Sequence, residues 1–255
     1  MKDWNKELDY LQSTRQKMWN DDYFEFLVRQ VWKINRPVSI LDFGCGYGDL
    51  GLRLLPLVPY GSSYTGVDIA DELINKGRDI FKTSKYVTRF EVADLLQYEP
   101  IEKYDVVICQ SVLRHIHKTK EVLKKMVASA KKDGLLICIE PSRRMENAGL
   151  YIDAPGYDVF ENDQFLKQKW LTEAETGGRD FLIGMKIPDY MIELGLKKVD
   201  VRVNDYAEYI SRHNNEKYME RTKSFIQNYG VNEKYYDEDY YFSARCHLIS
   251  YGEKC

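Results

Sequence analysis

Residues 42–48 read DFGCGYG, an aspartate followed by glycine at every second position, directly after the apolar run VSIL. Glycine inside a strand packs nothing and weakens it, so three in five residues imply a tight turn whose backbone approaches something other than protein. Twenty residues past Gly48 stands Asp68, followed by Asp94 in EVADLL, then Gln110, Ser111 and His115 in ICQSVLRHI, and Glu140 in IEPS. An acid at that interval from a glycine turn can accept hydrogen bonds from ribose hydroxyls. The ligand is not a nicotinamide dinucleotide. The spacing of Gly44, Gly46 and Gly48 is not G-x-G-x-x-G, Asp49 would repel a pyrophosphate, and no tyrosine has a lysine four residues on.

These residues need a frame that brings them to one edge. VSILDFG (38–44), SYTGVDI (63–69), RFEVAD (89–94), YDVVICQ (104–110) and GLLICIEP (134–141) read as buried strands, each bounded by turn residues or charge. Between them DLGLRLLPLV, DELINKGRDIFK and HKTKEVLKKMVASAKK read as helices, the last with Val122, Leu123, Met126, Val127 and Ala130 on one side and closing lysines suited to the negative helix end. Strand alternating with helix predicts a parallel sheet covered on both faces, with ligands beyond the carboxyl ends of the strands. After Pro141 the rhythm breaks. Residues 142–184 show no period; KIPDYMIELGLKKVDVRV restores a helix near 188–194 and a strand near 198–204. The stretch 205–240 reads as mainly helical, and YFSARCHLISYGE reads as one final strand, antiparallel to the rest. The expected organisation is a helical cover over 1–36 and one domain over 37–255, with insertions at about 142–184 and 205–240.

The chain has 255 residues, 44% hydrophobic and 30% charged, with a net charge of -3. That composition fits one large globular domain and argues against broad nucleic-acid binding. No stretch nears the roughly 20 apolar residues of a membrane helix, and the polar N-terminus has no signal-peptide core, so a cytoplasmic location is expected. Five cysteines without C-x-x-C spacing read as free thiols, with no metal site.

Taken together and in order, LDFGCGYGDL, YTGVDIADELI, EVADLL and YDVVICQSVLRHI closely resemble the motifs of class I S-adenosylmethionine-dependent methyltransferases, over about residues 38–141. MWNDDYF at 18–24 resembles, more loosely, bacterial small-molecule methyltransferases whose N-terminal helices close over the cofactor. The resemblance implies a Rossmann-like, doubly wound seven-stranded sheet, mostly parallel with an antiparallel last strand, plus helical covers. It implies S-adenosyl-L-methionine as cofactor and S-adenosyl-L-homocysteine as product. A ligand without phosphate needs no anion hole, so Asp49 is tolerated. Gly44, Gly46 and Gly48 would line the sulfonium-bearing chain; Asp42 would face its ammonium end, directly or through water; Asp68 would hold the ribose. Ile69 would press on the adenine, and Asp94, with the Leu95 backbone, would meet its amino group. Gln110 and Ser111 would lie beside the methionine part. Trp19, and less directly Arg15 and Asn20, would reach the cofactor from the N-terminal cover. For each acid taken alone, turn or helix capping is the competing role.

His115 matches the family's histidine at the pocket mouth. It is the candidate catalytic base for an acceptor that must lose a proton, or it orders the turn and closes the adenosyl pocket. Arg114 and His117 are expected to point aside. Glu140 either pairs with a cationic acceptor or holds amides of the next loop. Arg143 and Arg144 either take an anionic group or are solvated, and Tyr190 is a candidate acceptor contact. Residues 145–180 carry eight acids against three bases, which suits an amine-bearing acceptor or a solvated helix surface. Aromatics such as YYDEDYYF at 235–242, Tyr206 and Tyr209 either box a cationic group or pack a lid. The expected acceptor is a small molecule, with a peptide or protein second and RNA third. A non-catalytic cofactor-binding protein of the same fold is the alternative to an enzyme.

Overall fold

In the computed structural model, residues 4–15, 18–204, 206–211, 233–235, 240–244 and 246–255 are described. The strands are β1 Ser39–Phe43, β2 Ser63–Asp68, β3 Val87–Val92, β4 Tyr104–Gln110, β5 Ala130–Pro141, β6 Leu150–Ile152, β7 Lys197–Val203, β8 Ala207–Ser211, β9 Tyr240–Ala244 and β10 His247–Glu253. The α-helices are α1 Leu8–Arg15, α2 Asp21–Phe26, α3 Asp49–Leu54, α4 Asp71–Phe81, α5 Thr119–Ser129, α6 Arg143–Ala148, α7 Glu161–Thr176 and α8 Ile183–Glu193. Seven strands form one sheet in the order β3-β2-β1-β4-β5-β10-β7, and β10 runs antiparallel to both neighbours. The other neighbours in this sheet are parallel. This is the Rossmann-like architecture with a reversed last strand that the resemblance implies.

The central strands read as unbroken apolar runs because both faces of the sheet are buried. Ile40, Val106, Ile108, Ile137 and Ile139 pack on one face with Phe24, Leu27, Leu54 and Phe81. Their immediate neighbours Leu41, Val107, Cys109, Leu136 and Cys138 pack on the other with Val122, Met126, Ile183 and Ile187. Strand order reverses across β1 and β4, and the glycine turn leaves β1 at that switch point.

Several expectations are corrected. The lysines at 131 and 132 do not end a helix: α5 stops at Ser129, and Ala130–Lys132 open β5, where Lys131 pairs with Asp105. The helix expected near 188 starts at Ile183 and carries Pro188 at its sixth position, where proline forgoes one backbone hydrogen bond that the packed helix tolerates. The final segment is two strands, not one: β9 turns away, and only β10 joins the large sheet. β9 instead pairs with β6 and β8, so parts of both excursions meet in a three-stranded antiparallel sheet. The described start of the second excursion is thus a strand; positions 212–232 lie outside the described residues. Alternation within β6, β8 and β9 is too short to announce itself in the sequence, and their partners are distant in the chain.

At the opposite end of the sheet, Asp105 ties three strands together. Its carboxylate accepts from Arg36 (2.9 Å), the Ser39 N–H (2.9 Å) and hydroxyl (2.8 Å), and Lys131 (2.8 Å). Burial alone would raise its pKa, but these donors together hold it below the usual carboxylate value. A depressed folded pKa stabilises the fold above the unfolded value of 3.8, and that stabilisation disappears as the pH falls through the folded pKa. Asp105→Asn is expected to lower unfolding free energy by about 1–3 kcal/mol at neutral pH in urea titrations. The gap from the parent protein should narrow as the pH is taken below about 4.

Candidate active site

The turn after β1 is built from left-handed backbone and held by β2. Gly44, Gly46 and Gly48 have φ of 75°, 55° and 85°, a region that side chains enter at a cost. The Gly44 and Cys45 N–H groups donate to the Val67 carbonyl at 2.7 and 3.0 Å. The next free amide, Gly46 N–H, donates to Asp68 Oδ2 at 2.8 Å, while Asp68 Oδ1 accepts from Ala70 N–H at 2.9 Å. Burial raises the pKa of Asp68, and the amide bonds from Ala70, Gly46 and Ile69 oppose that rise. The glycines differ in what surrounds them. A Cβ on Gly44 would overlap Val112 Cγ2, whereas one on Gly46 would meet, among the described residues, Leu11 and Leu73 methyls at 3.9 Å. Gly44 therefore serves internal packing, and Gly46 turns a bare backbone toward the space under α1.

Around this turn the expected residues assemble unequally. Asp42 is buried, and its Oδ2 accepts the Tyr64 hydroxyl at 2.6 Å. Ile69 is 53% exposed beside Asp68, an apolar surface without cover. Asp94 is exposed and its Oδ1 accepts the Leu96 N–H at 2.9 Å, so in this state it acts as a turn acid; Leu95 is buried in the core. Trp19, from the N-terminal cover, is buried and donates Nε1–H to Gln110 Oε1 at 3.2 Å. The neighbouring Met18 carbonyl accepts from Asn204 at 2.8 Å, which ties this segment to the end of β7. Leu11 of α1 clusters with Tyr47, Ala70 and Leu73 over the glycine turn. The Arg15 side chain lies outside the described set.

The turn after β4 is bent in the same manner. Ser111 has φ of 58°, rare for a residue with a side chain, and its N–H donates to the Ile139 carbonyl at 2.7 Å. Glu140 is fully buried, and its Oε1 accepts the Val112 and Leu113 N–H groups at 2.8 and 2.7 Å. Of its two expected roles, the geometry matches the one that holds loop amides. His115 Nε2 accepts from Arg114 Nε at 3.0 Å, and Arg114 is thus turned onto the histidine. Arg143 opens α6 and pairs with Glu146 at 3.3 Å; Arg144 is exposed.

Tyr190 is not brought to the glycine turn. Its ring lies under Lys120 Nζ at 4.4 Å and lines a cavity of about 370 Å³ between the starts of α5 and α8, with His117 and Asp180. Two of the acids in 145–180 pair with bases outside that stretch, Glu146 with Arg143 and Asp180 with Lys186, while Glu173 pairs with Arg179 inside it and Asp163 accepts from the neutral Asn147. Lys118, Lys120, Lys125 and Lys131 pair with Glu121, Glu193, Glu99 and Asp105. Tyr235 is a packing residue, its hydroxyl on the Gly156 carbonyl at 3.0 Å and its ring against Tyr157.

Comparison with known proteins converges on this edge. Residues 41–136, which span the glycine turn, Asp68, Asp94, the β4 turn and the first part of β5, match a family model described as a methyltransferase domain. Over this stretch the chain is similar to methyltransferase domains. It is 35% identical over 99 residues to the malonyl-[acyl-carrier protein] O-methyltransferase of Acetivibrio thermocellus, covering 39% of this chain and 34% of that protein. It is 27% identical over 180 residues to the ubiquinone biosynthesis O-methyltransferase of Coxiella burnetii, covering 66% of this chain and 75% of that protein. Among solved structures, a putative methyltransferase from Bacillus halodurans superposes with a TM-score of 0.57 at 15% identity, covering 90% of this chain and 98% of that one. Phosphoethanolamine N-methyltransferase 2 of Haemonchus contortus does so at 0.58 and 12% identity, covering 100% and 60%. At such identities the two structures share the methyltransferase fold with this chain.

The residues present suit the family's cofactor. Gly46 leaves a backbone face that a Cβ would fill, Ile69 offers an uncovered apolar surface, and Asp68 has four lone-pair sites against three amide donors. Sequence reasoning missed the Tyr64–Asp42 bond, Leu11 over Gly46, and the left-handed Ser111. Those depend on contacts between distant segments; an acid ending the apolar run of β5 was the single signal pointing to the amide clamp.

Arg114 donates to Nε2 of His115, which occupies one of the two ring nitrogens a base could use. His115→Ala is expected to keep turnover within about tenfold of the parent across pH, whereas loss of a general base costs about 10²–10⁴. A pH–rate profile on the variant distinguishes the two.

Proposed function

We propose that this protein transfers a methyl group from S-adenosyl-L-methionine to a small-molecule acceptor by in-line displacement. The observation that carries the reading is the joint construction of the glycine turn and Asp68, whose carboxylate holds Gly46 while standing beside the exposed Ile69. In this reading Asp68 accepts the ribose hydroxyls, Ile69 covers one face of the adenine, and Asp94 with the Leu95 backbone meets the adenine edge. Gly44, Gly46 and Gly48 shape the path of the methionine chain. Asp42 sits beneath its ammonium end, and Gln110, Ser111 and Trp19 flank the approach to the reacting carbon. The cofactor supplies a methyl group already activated by positive sulfur. The protein's contribution is then alignment and exclusion of water, roles suited to α1 and the Trp19 segment.

A small acceptor is supported by the O-methyltransferase relatives and by the second sheet, which gathers parts of both excursions into one cover. Arg143 and the edge of β5 are where such a molecule would be met. Structural neighbours captured with S-adenosylmethionine, such as the Haemonchus contortus enzyme, support the cofactor assignment.

Asp68→Asn keeps one carbonyl acceptor for the turn but removes the charge. It is expected to weaken S-adenosylhomocysteine binding by at least tenfold in calorimetry, since hydrogen bonds to a charged group contribute about 1.5–3 kcal/mol. Burial raises the Asp68 pKa, and the ribose needs the ionised form. Affinity in the parent protein should therefore fall on acidification through that raised value, above the ordinary 3.8, and this limb should vanish in the variant. Undiminished affinity in Asp68→Asn would remove the assignment.

A further inference from the structure

Two turns at the carboxyl edge are made the same way. After β1, the amides of 44 and 45 go to the Val67 carbonyl and that of 46 to the Asp68 carboxylate. After β4, the amide of 111 goes to the Ile139 carbonyl and those of 112 and 113 to the Glu140 carboxylate. In each case a neighbouring strand supplies a carbonyl and then the side chain of its next residue. The two turns also touch, because the Val112 side chain occupies the place where Gly44 lacks a Cβ. Glu140 Oε2 is buried and has no hydrogen-bond partner among the described residues, so only one oxygen of a costly buried carboxylate is spent, and it is spent on the turn.

We propose that Glu140 is a positioning residue for methyl transfer: by gripping the Val112 and Leu113 amides it presses Val112 onto Gly44 and so sets the wall that the methionine end of the cofactor meets. This rests on the reading of the site as a methyltransferase cofactor site. Glu140 acts through Val112 and touches neither acceptor nor cofactor. Ser111, forced into left-handed backbone between Ile139 and Glu140, is the strained point that the grip maintains. A charged acceptor holds amides about twice as strongly as a neutral one, which explains why an acid rather than an amide side chain ends β5.

The test compares Glu140→Gln, Val112→Ala and the double variant by calorimetry with S-adenosylhomocysteine, by KM and kcat, by melting temperature, and by amide hydrogen exchange at 112 and 113. Glu140→Gln is expected to weaken S-adenosylhomocysteine binding about tenfold, raise KM for the cofactor, and speed exchange at both amides with little change in melting temperature. The two substitutions should be sub-additive, because one acts through the other. Unchanged cofactor affinity with a raised KM for the acceptor alone would overturn the proposal, as would parent-like exchange or full additivity. If Glu140→Gln does not fold, Val112→Ala decides, and undiminished binding there refutes the mechanism. If the parent protein itself binds no S-adenosylhomocysteine, the methyltransferase reading fails, and exchange at 112 and 113 still tests the clamp by itself.

Discussion

Backbone N–H groups that leave a strand for a sharp turn lose their ladder partners, and at a buried sheet edge water cannot replace them. In this protein the acceptors come from the neighbouring strand, and where its carbonyls end, a half-buried and a fully buried carboxylate continue the ladder. Asp68 does this for the glycine turn and Glu140 for the turn after β4. The arrangement asks a good deal of the fold, since burial raises the pKa of both acids and their charge is tolerated only because amides point at them. In return the two turns are held in left-handed or bent backbone by hydrogen bonds to these carboxylates, and Asp68 also accepts from the Ala70 N–H.

The rest of the molecule can be understood as support for that edge. Burying the sheet on both faces makes the strand ends stiff points from which turns project. Asp105 performs a related service at the opposite end, gathering β1, β4 and β5 with bonds from Arg36, Ser39 and Lys131. The covers are attached by polar ties: Trp19 to Gln110, Met18 to Asn204, and Asn204 in turn to the His247 N–H at 2.8 Å. The N-terminal segment is thereby joined to three strand ends at once.

How much of this could be read from the chain depended on the range of the interactions involved. β4 was legible to the residue, because a parallel strand writes its burial into adjacent positions. The start of β5 and the start of α8 were misplaced, since lysine runs and proline carry local meanings that tertiary pairing overrode. The three-stranded cover escaped notice because its short strands are mutually stabilised across some ninety residues of sequence, and none is persuasive alone. Tyr190 was attractive as an aromatic in a cover region, yet helical geometry turns it toward α5 and Lys120.

By itself the sequence determined the alternation of strands and helices and the reversed final strand, and it marked a glycine turn with an acid twenty residues on. All of these follow from residue type and short spacing, where backbone freedom, charge and periodicity act locally. Only the tertiary structure decided that Gly44 is empty for Val112 and Gly46 for something else, that Glu140 grips amides, that Arg114 occupies His115, and that two distant excursions form one sheet. Each of those is a contact between segments far apart in the chain. Such contacts have no local signature, because the residues that make them are selected by neighbours the sequence alone does not place beside them.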